Sequence, residues 1–537
     1  MLHLCPESPF TSLDSYIKIT DEGTDLVQYA AAFTFDPRCK QILLILEHPI
    51  PDVSIYAQGD LLTAVSTGST IVYVPIQAKI TPFPCINTLT FEVPALQSQG
   101  NPRPCLHAWL LQKDSIFFHE PEFHMDVNPL GEITWDLQIQ GRIDNTRSVP
   151  VCITLQALLS FSQEPVISRE MPALSLSANT HTVFQRHLTI SAPHLWTPET
   201  PSVYMVTLFL MVEGEIMDVL SCPLAFRDIS QTDGGALLLN QSPWVPRGFC
   251  IPDVSCYHPA FIEYQLQLIK NIGANAVTTN TPADASFYQS CLSLGLLYEP
   301  ALSFSLPLLK FSLFPESTFL SSYQAQWTDV PMLAFGTHWN LPVDSGSIVP
   351  VPIYSNCEEV EILLNDRSVG RYPLSNGGCL AKVPYEMGRL EGVGYRNGRE
   401  EAHAQIVTTG LADSLQMHLS KTYLVYGRQD AVVACVRTVD FAGHPVPDAD
   451  QLIFFEGRSG VQVYQTGSLD DGASPRFAPY HPLYNGECYA ILESTDGDDA
   501  LINVYTQELT GDSAILPVRE IRSPDQNGFY IAPGCGV

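Results

Sequence analysis

Helical periodicity occupies one window of this sequence, and short β runs fill most of the rest. Between Pro259 and Ile272 the apolar residues Ile262, Leu266, Ile269 and Ile272 recur at helical spacing, with Gly273 placed as a C-terminal cap. "ADASFYQSCLSL" reads as a second helix stopped at Gly295, while "NAVTT" and "LLYEPAL" read as the strands that follow each helix. A strand–helix–strand order calls for parallel pairing, because the chain must cross a face of the sheet before it can lie beside itself in the same direction. The chain is therefore expected to hold a small β/α layer inside a mainly β protein.

On both sides of that window the pattern is sandwich-like. "YAAAFTF", "QILLILE", "STIVYVPI" and "NTLTFEV" are broken by Pro, Gly and Asp, as in a jelly roll. "EITWDLQIQGRI", "VPVCITLQALLSF", "HTVFQRHLTI" and "VYMVTLFLMV" are spaced like an immunoglobulin-like sandwich. After Ile348 two more sets of strands follow, from "IVPVPIYSN" to "RLEGVGY" and from "DAVVACVRTVD" to "ALINVYTQ". The expected organisation is a jelly-roll-like module over 1–119 and an immunoglobulin-like sandwich over 120–229. A β/α remnant over 230–327, two further sandwiches over 328–409 and 410–510, and a tail over 511–537 complete it. A chain of 537 residues exceeds what one hydrophobic core supports, which agrees with several modules.

Charge removes whole classes of partner. With 27 Lys and Arg against 57 Asp and Glu, the formal charge is −30, a surface that repels phosphate backbones and anionic headgroups. No nucleic-acid or membrane partner is expected. "MLHLCPESPFTSLDSY" has neither a basic start nor an apolar signal core, so the expected compartment is the cytoplasm. The 14 cysteines form no C-x-x-C pair, and most are expected to be reduced thiols acting as small core residues.

The segment "LTISAPHLWTPETPSVYMVTLFLMVEGE", followed by "LAFRDI" and "LLLNQSPWVPRGF", resembles the junction between the immunoglobulin-like domain and the catalytic barrel of glycoside hydrolase family 2. That is the β-galactosidase and β-glucuronidase family. Leu195, Trp196, Pro198, Pro201, Tyr204, Phe226, Arg227 and Asn240 fit its pattern, and Gln241 stands where the family has Gly. "YQAQWTDVPMLAFGTHWNLPVDSGSIVPVPIYSNCEEVEILLNDRSVGR" is similar to the family's exit from the barrel into its next sandwich. "LWTPETP" by itself reads as a proline-stiffened crossover with a packed Trp.

The resemblance implies an eight-stranded β/α barrel carrying two catalytic glutamates, an acid/base after an Asn and a nucleophile on a later strand. Retaining glycosidases hold such a pair ~5–5.5 Å apart. A closed barrel of this kind takes ~250 residues, and Gly235 to Trp327 offers fewer than half of that. The sequence contains no Asn-Glu dipeptide. Where the family has Asn-Ala-Val-Arg-x-Ser-His before a Pro, this chain runs Asn275, Ala276, Val277, Thr278, Thr279, Asn280, Thr281 and Pro282. Where the family has Cys-Asp-Glu-x-Gly-Leu, Cys291 and Gly295 remain but Leu292 and Ser293 replace the acidic pair, as on a surface that is packed rather than facing a pocket.

No catalytic residue is therefore assigned. Glu299, at the end of the third strand of the layer, is the best remaining carboxylate, followed by Glu316. "FFHEPEFHMD" brings His119, Glu122 and His124 close in sequence, but a regular strand would put His119 and His124 on opposite faces, and no metal or other cofactor is expected. "STDGDDA" is a turn and lacks the ligand series of a calcium loop. Of the six Trp, Trp196, Trp244, Trp327 and Trp339 sit in structural segments and Trp109 and Trp135 are expected in cores, so none marks a sugar platform. The leading expectation is a noncatalytic relative acting as a scaffold, subunit or carbohydrate-recognition protein. Carbohydrate, a second copy of the chain and another glycosidase subunit stand as its partners. The alternative is an active β-glycosidase whose site is non-standard or shared between subunits.

Overall fold

The computed structural model describes residues 2–4, 10–12, 18–22, 26–35, 41–47, 53–65, 71–82, 84–94, 107–251, 258–279, 285–298, 309–310, 317–426, 430–468, 472–473, 478–495 and 498–520. It is mainly β, and its sheets pair into sandwiches around a small helical layer.

In the first sandwich, the sheet built on Leu26–Phe35, Asn87–Pro94 and Val53–Ala57 lies over the sheet built on His107–Lys113 and Gln41–Glu47. Between them Phe33, Phe35, Leu44 and Phe91 are buried. The second sandwich sets Ile116–Pro129, Thr134–Asn145 and Thr180–Ser191 against Val151–Phe161, Tyr204–Val212 and Glu215–Leu224. Thr134–Asn145 shows why its sequence makes a strand. Every second residue from Trp135 onward is buried and every other one faces outward, so one face fills a core and the other meets water.

The β/α layer follows. Gly248–Ile251 pairs in parallel with Ala276–Thr279 on one side and with Leu309–Lys310 on the other. A single parallel bridge sets Leu297 beside Ala276, so the sheet order is Leu297, Ala276–Thr279, Gly248–Ile251, Leu309–Lys310. Helix α1 (Pro259–Asn271) is capped by His258, whose Nδ1 accepts from the Ala260 N–H at 3.1 Å. As the periodicity predicts, Ile262, Leu266, Ile269 and Ile272 face the core. Helix α2 (Ala285–Leu294) packs beside it, and α3 (Ser317–Trp327) leads out to the next sandwich.

The outer side of α1 is not left bare. Phe261 stacks on Tyr489 with ring centroids 5.0 Å apart, and Ala431, Val433, Tyr464 and Ile491 of the last sandwich complete the contact. The Nε2–H of His258 points to Glu493 Oε1 at 3.3 Å, and Lys421 bridges Glu263 of α1 and Asp430. The outer face of α1 is thus covered within the chain.

The third sandwich pairs Leu333–Phe335, Ile348–Ser355 and Gly378–Pro384 with a sheet ordered Arg367–Pro373, Glu359–Leu364, Arg389–Arg396, Arg399–Val407. In the fourth, one sheet contains Ala412–Leu419, Ala431–Asp440, Glu487–Ser494 and Val461–Ser468. The other contains Tyr480–Pro482, Leu452–Arg458, Ala500–Tyr505 and Asp512–Leu516. Part of the expected tail is structured: Asp512–Leu516 joins that sheet, and Val518–Glu520 pairs with Leu424–Tyr426. Leu516 is the reason, since its side chain is buried in the fourth core. Residues 521–537 lie outside the described set.

Eight of the described cysteines are free, as expected, while Cys222, buried in the second sandwich, is disulfide-bonded. No helix among the described residues is long and apolar enough to cross a membrane.

Candidate functional site

The carboxyl end of the parallel layer is where a β/α fold places chemistry. The strands reaching it are "GFCI", "AVTT", the Leu297–Tyr298 segment and Leu309–Lys310, and none of these residues is Asp or Glu. Thr279 Oγ1 lies 3.1 Å from the Tyr298 hydroxyl, and Tyr298 and Phe287 pack edge to face at 4.9 Å. Glu299 and Glu316 lie outside the described residues. What the described residues bring together here is a neutral hydroxyl pair and aromatic packing.

The charged groups nearest this layer hold it to the second sandwich. Trp196 is fully buried, and its Nε1–H donates to the Leu292 carbonyl at 2.9 Å. The Arg227 guanidinium lies over the Trp196 ring at 5.0 Å, with Nη2 3.5 Å from both the Tyr288 hydroxyl and the Tyr298 carbonyl. Lys270 of α1 donates to the carbonyls of Pro198 and Gly295 at 2.8 and 2.9 Å. Burial lowers the Lys270 pKa, partly offset by Glu199. Gly295 has φ +70°, and a Cβ there would stand 2.3 Å from the Pro198 carbonyl oxygen, so only glycine lets α2 end against the crossover.

The motif residues therefore build a joint. Trp196 N–H donates to the Phe226 carbonyl, Asn240 Nδ2 donates to the Trp196 carbonyl, and Tyr204 and Trp135 meet the Phe226 ring edge-on. Of the former acidic positions, Leu292 is packed, as expected, while Ser293 is exposed.

Asn240 and Gln241 form the two-residue turn between Leu237–Leu239 and Ser242–Pro243, with φ of 50° and 64°. A non-glycine residue in the left-handed region costs ~1 kcal/mol. Gln241→Gly is expected to stabilise the joint by about that amount, read as a rise in the midpoint of chemical unfolding.

The His119, Glu122 and His124 group lies elsewhere, on the edge of the second sandwich. A bulge sets His119 opposite Arg142 and His124 opposite Gln140, two residues of the same outward face. The expectation of opposite faces is thus corrected, because Phe123 turns into the core and consumes the extra residues. His119 Nδ1 lies 3.3 Å from Asp144 Oδ2, and Arg142 binds both Asp144 and Glu122. Burial would raise the Asp144 pKa, but the bonds from His119 and Arg142 outweigh it and hold the carboxyl below its usual range. This is an ion-pair network, and no metal-ligand cluster of three occurs among the described residues. Trp135, Trp196 and Trp339 are core residues, and Trp244 and Trp327 are partly buried against the core of the β/α layer. The Trp109 side chain lies outside the described set.

Comparison with known proteins agrees with this layout. The model of glycosyl hydrolases family 2 matches residues 119–227, and a domain of unknown function, DUF4982, matches 346–402. Over 200 residues the chain is 28% identical to a putative beta-glucuronidase of Formosa agariphila, covering 36% of this chain and 19% of that protein. Over 199 residues it is 28% identical to the beta-galactosidase BoGH2A of Bacteroides ovatus, covering 36% of this chain and 23% of that one. The matches thus span about a fifth of these relatives' lengths. Among solved structures, a glycosyl hydrolase family 2 member from Bacteroides cellulosilyticus superposes with a TM-score of 0.78 at 15% identity, over 93% of this chain and 94% of that one. A beta-glycosidase from Bacteroides vulgatus gives 0.75 at 15% identity, over 94% and 95%. At such identity the likeness to solved structures is one of fold.

Proposed function

Starting from this chain's membership of glycoside hydrolase family 2, we propose that it is a noncatalytic member that recognises carbohydrate, its β/α layer being the remnant of a catalytic barrel. One observation carries the reading: Leu309–Lys310 pairs directly with Gly248–Ile251. In a closed ring of eight, the far neighbour of the first strand is the last one. Only residues 299–308 separate Tyr298 from Leu309, and one strand–helix unit takes ~30 residues. Whatever path those ten residues follow, the intervening strands that would carry a facing pair of glutamates have no chain to form from.

Hydrolysis by the retaining route needs an acid and a nucleophile at one bond. Removing both leaves a scaffold that can hold sugar without cleaving it. Aryl β-galactosides, β-glucuronides and β-mannosides should be released by the purified chain no faster than by buffer. Release above that background sets the noncatalytic reading aside, and its loss in Glu299→Gln would assign the acid responsible.

A further inference from the structure

We infer that the outward face of the last sandwich is a binding platform for a neutral glycan chain. It deepens the carbohydrate-recognition reading, on which it rests, by giving that recognition a place. The sheet of Tyr480–Pro482, Leu452–Arg458, Ala500–Tyr505 and Asp512–Leu516 turns Ile453, Phe455, Ile502 and Val504 into the core. On the opposite face Phe454 stands in register with Tyr480 on one side and Tyr505 on the other. The three rings form one row across three strands, with centroids 5.9 and 5.5 Å apart. Tyr480 and Tyr505 are 48% and 46% exposed.

An outward sheet face is normally polar, so a row of rings there calls for an occupant. The next row is polar and already ordered: Asn503 Nδ2 donates to Glu456 Oε2 at 3.0 Å, and Arg458 Nε meets Glu456 Oε1 at 2.9 Å. A pyranose ring has an apolar C–H face bordered by hydroxyls. Rings for the face, with an amide, a carboxylate and a guanidinium beside them for the hydroxyls, match it on both counts.

Size and charge narrow the occupant. Two half-exposed rings flanking a partly buried one offer at most on the order of a few hundred Å², short of the ~800 Å² per partner of a stable protein interface. A chain of net charge −30 disfavours a polyanion, whether nucleic acid or acidic polysaccharide. A neutral, extended glycan fits a narrow row and needs no second protein surface.

The test is affinity electrophoresis of the full chain through gels containing neutral polysaccharides, namely hydroxyethyl cellulose, xyloglucan, galactan and galactomannan. At least one should retard the wild type. Tyr480→Ala/Tyr505→Ala should weaken that retardation about tenfold, with thermal unfolding unchanged because both side chains are half exposed. Tyr480→Phe/Tyr505→Phe, which keeps the rings, should retain most of it. Retardation undiminished in the alanine variant overturns the platform while leaving carbohydrate recognition standing, and absence of retardation in every gel overturns both. A fall in solution mass on the alanine substitutions would make the face a contact between copies and overturn the proposal as well. None of these outcomes depends on the release of aryl glycosides, so the noncatalytic reading is tested separately.

Discussion

Trp196→Ala should destabilise the joint between the second sandwich and the β/α layer by ~3–5 kcal/mol, the range for truncating a fully buried Trp. Three losses coincide at this position. The ring is removed from a site with no solvent exposure, the Leu292 carbonyl loses the indole N–H at 2.9 Å, and the Arg227 guanidinium loses the aromatic face 5.0 Å away. A buried guanidinium is costly once its surroundings no longer compensate it. Chemical unfolding followed by intrinsic fluorescence should show an earlier transition, and hydrogen exchange should rise in α2 and in Tyr204–Val212. Trp196→Phe, which keeps most of the volume but not the donor, should lose less. Equal exchange in wild type and Trp196→Ala would mean that the joint is held elsewhere.

Asp218→Ala should have an effect of similar size, ~3–5 kcal/mol, at the contact between the first two sandwiches. Both oxygens of Asp218 lie 3.0 Å from Lys113 Nζ, and one also accepts from the Phe118 N–H at 2.8 Å. The two side chains are only 4% and 10% exposed, so the substitution takes a carboxylate away from an ammonium and a backbone donor that lie out of reach of water. The double variant Lys113→Met/Asp218→Leu removes the charge along with its partner and should recover part of the loss, since a buried pair is worth little against apolar residues of similar volume. If the double variant is as unstable as the single one, packing rather than charge governs this contact. Denaturant midpoints of the four proteins decide between the two.

These contacts mark where local sequence stops being informative. Strands such as Thr134–Asn145 and the helix α1 were legible because burial on one side imposes period 2 or period 3.6 on the residues themselves. Gly273 and Gly295 marked the helix ends for the same local reason, the left-handed turn that closes each one. The proline-stiffened crossover also read correctly, because Trp196 and Pro198 are packed within one short stretch. The bulge that puts His119 and His124 on one face was not legible, since it depends on Phe123 finding the core from inside a run of polar residues. Nor were the row of Tyr480, Phe454 and Tyr505 or the cover over α1: their members are far apart in the chain, and strand register brings them together.

From the sequence alone came the mainly β class, the sandwiches, the single β/α window and the shortage of chain in it, because hydrophobic period and chain length act residue by residue. Tertiary structure decided that Leu309–Lys310 closes against Gly248–Ile251, that α1 is sheltered by the last sandwich, and that three rings from three strands line up facing water. Those outcomes depend on which strand lies beside which, and that pairing is chosen by burying whole faces together, a property no short segment possesses.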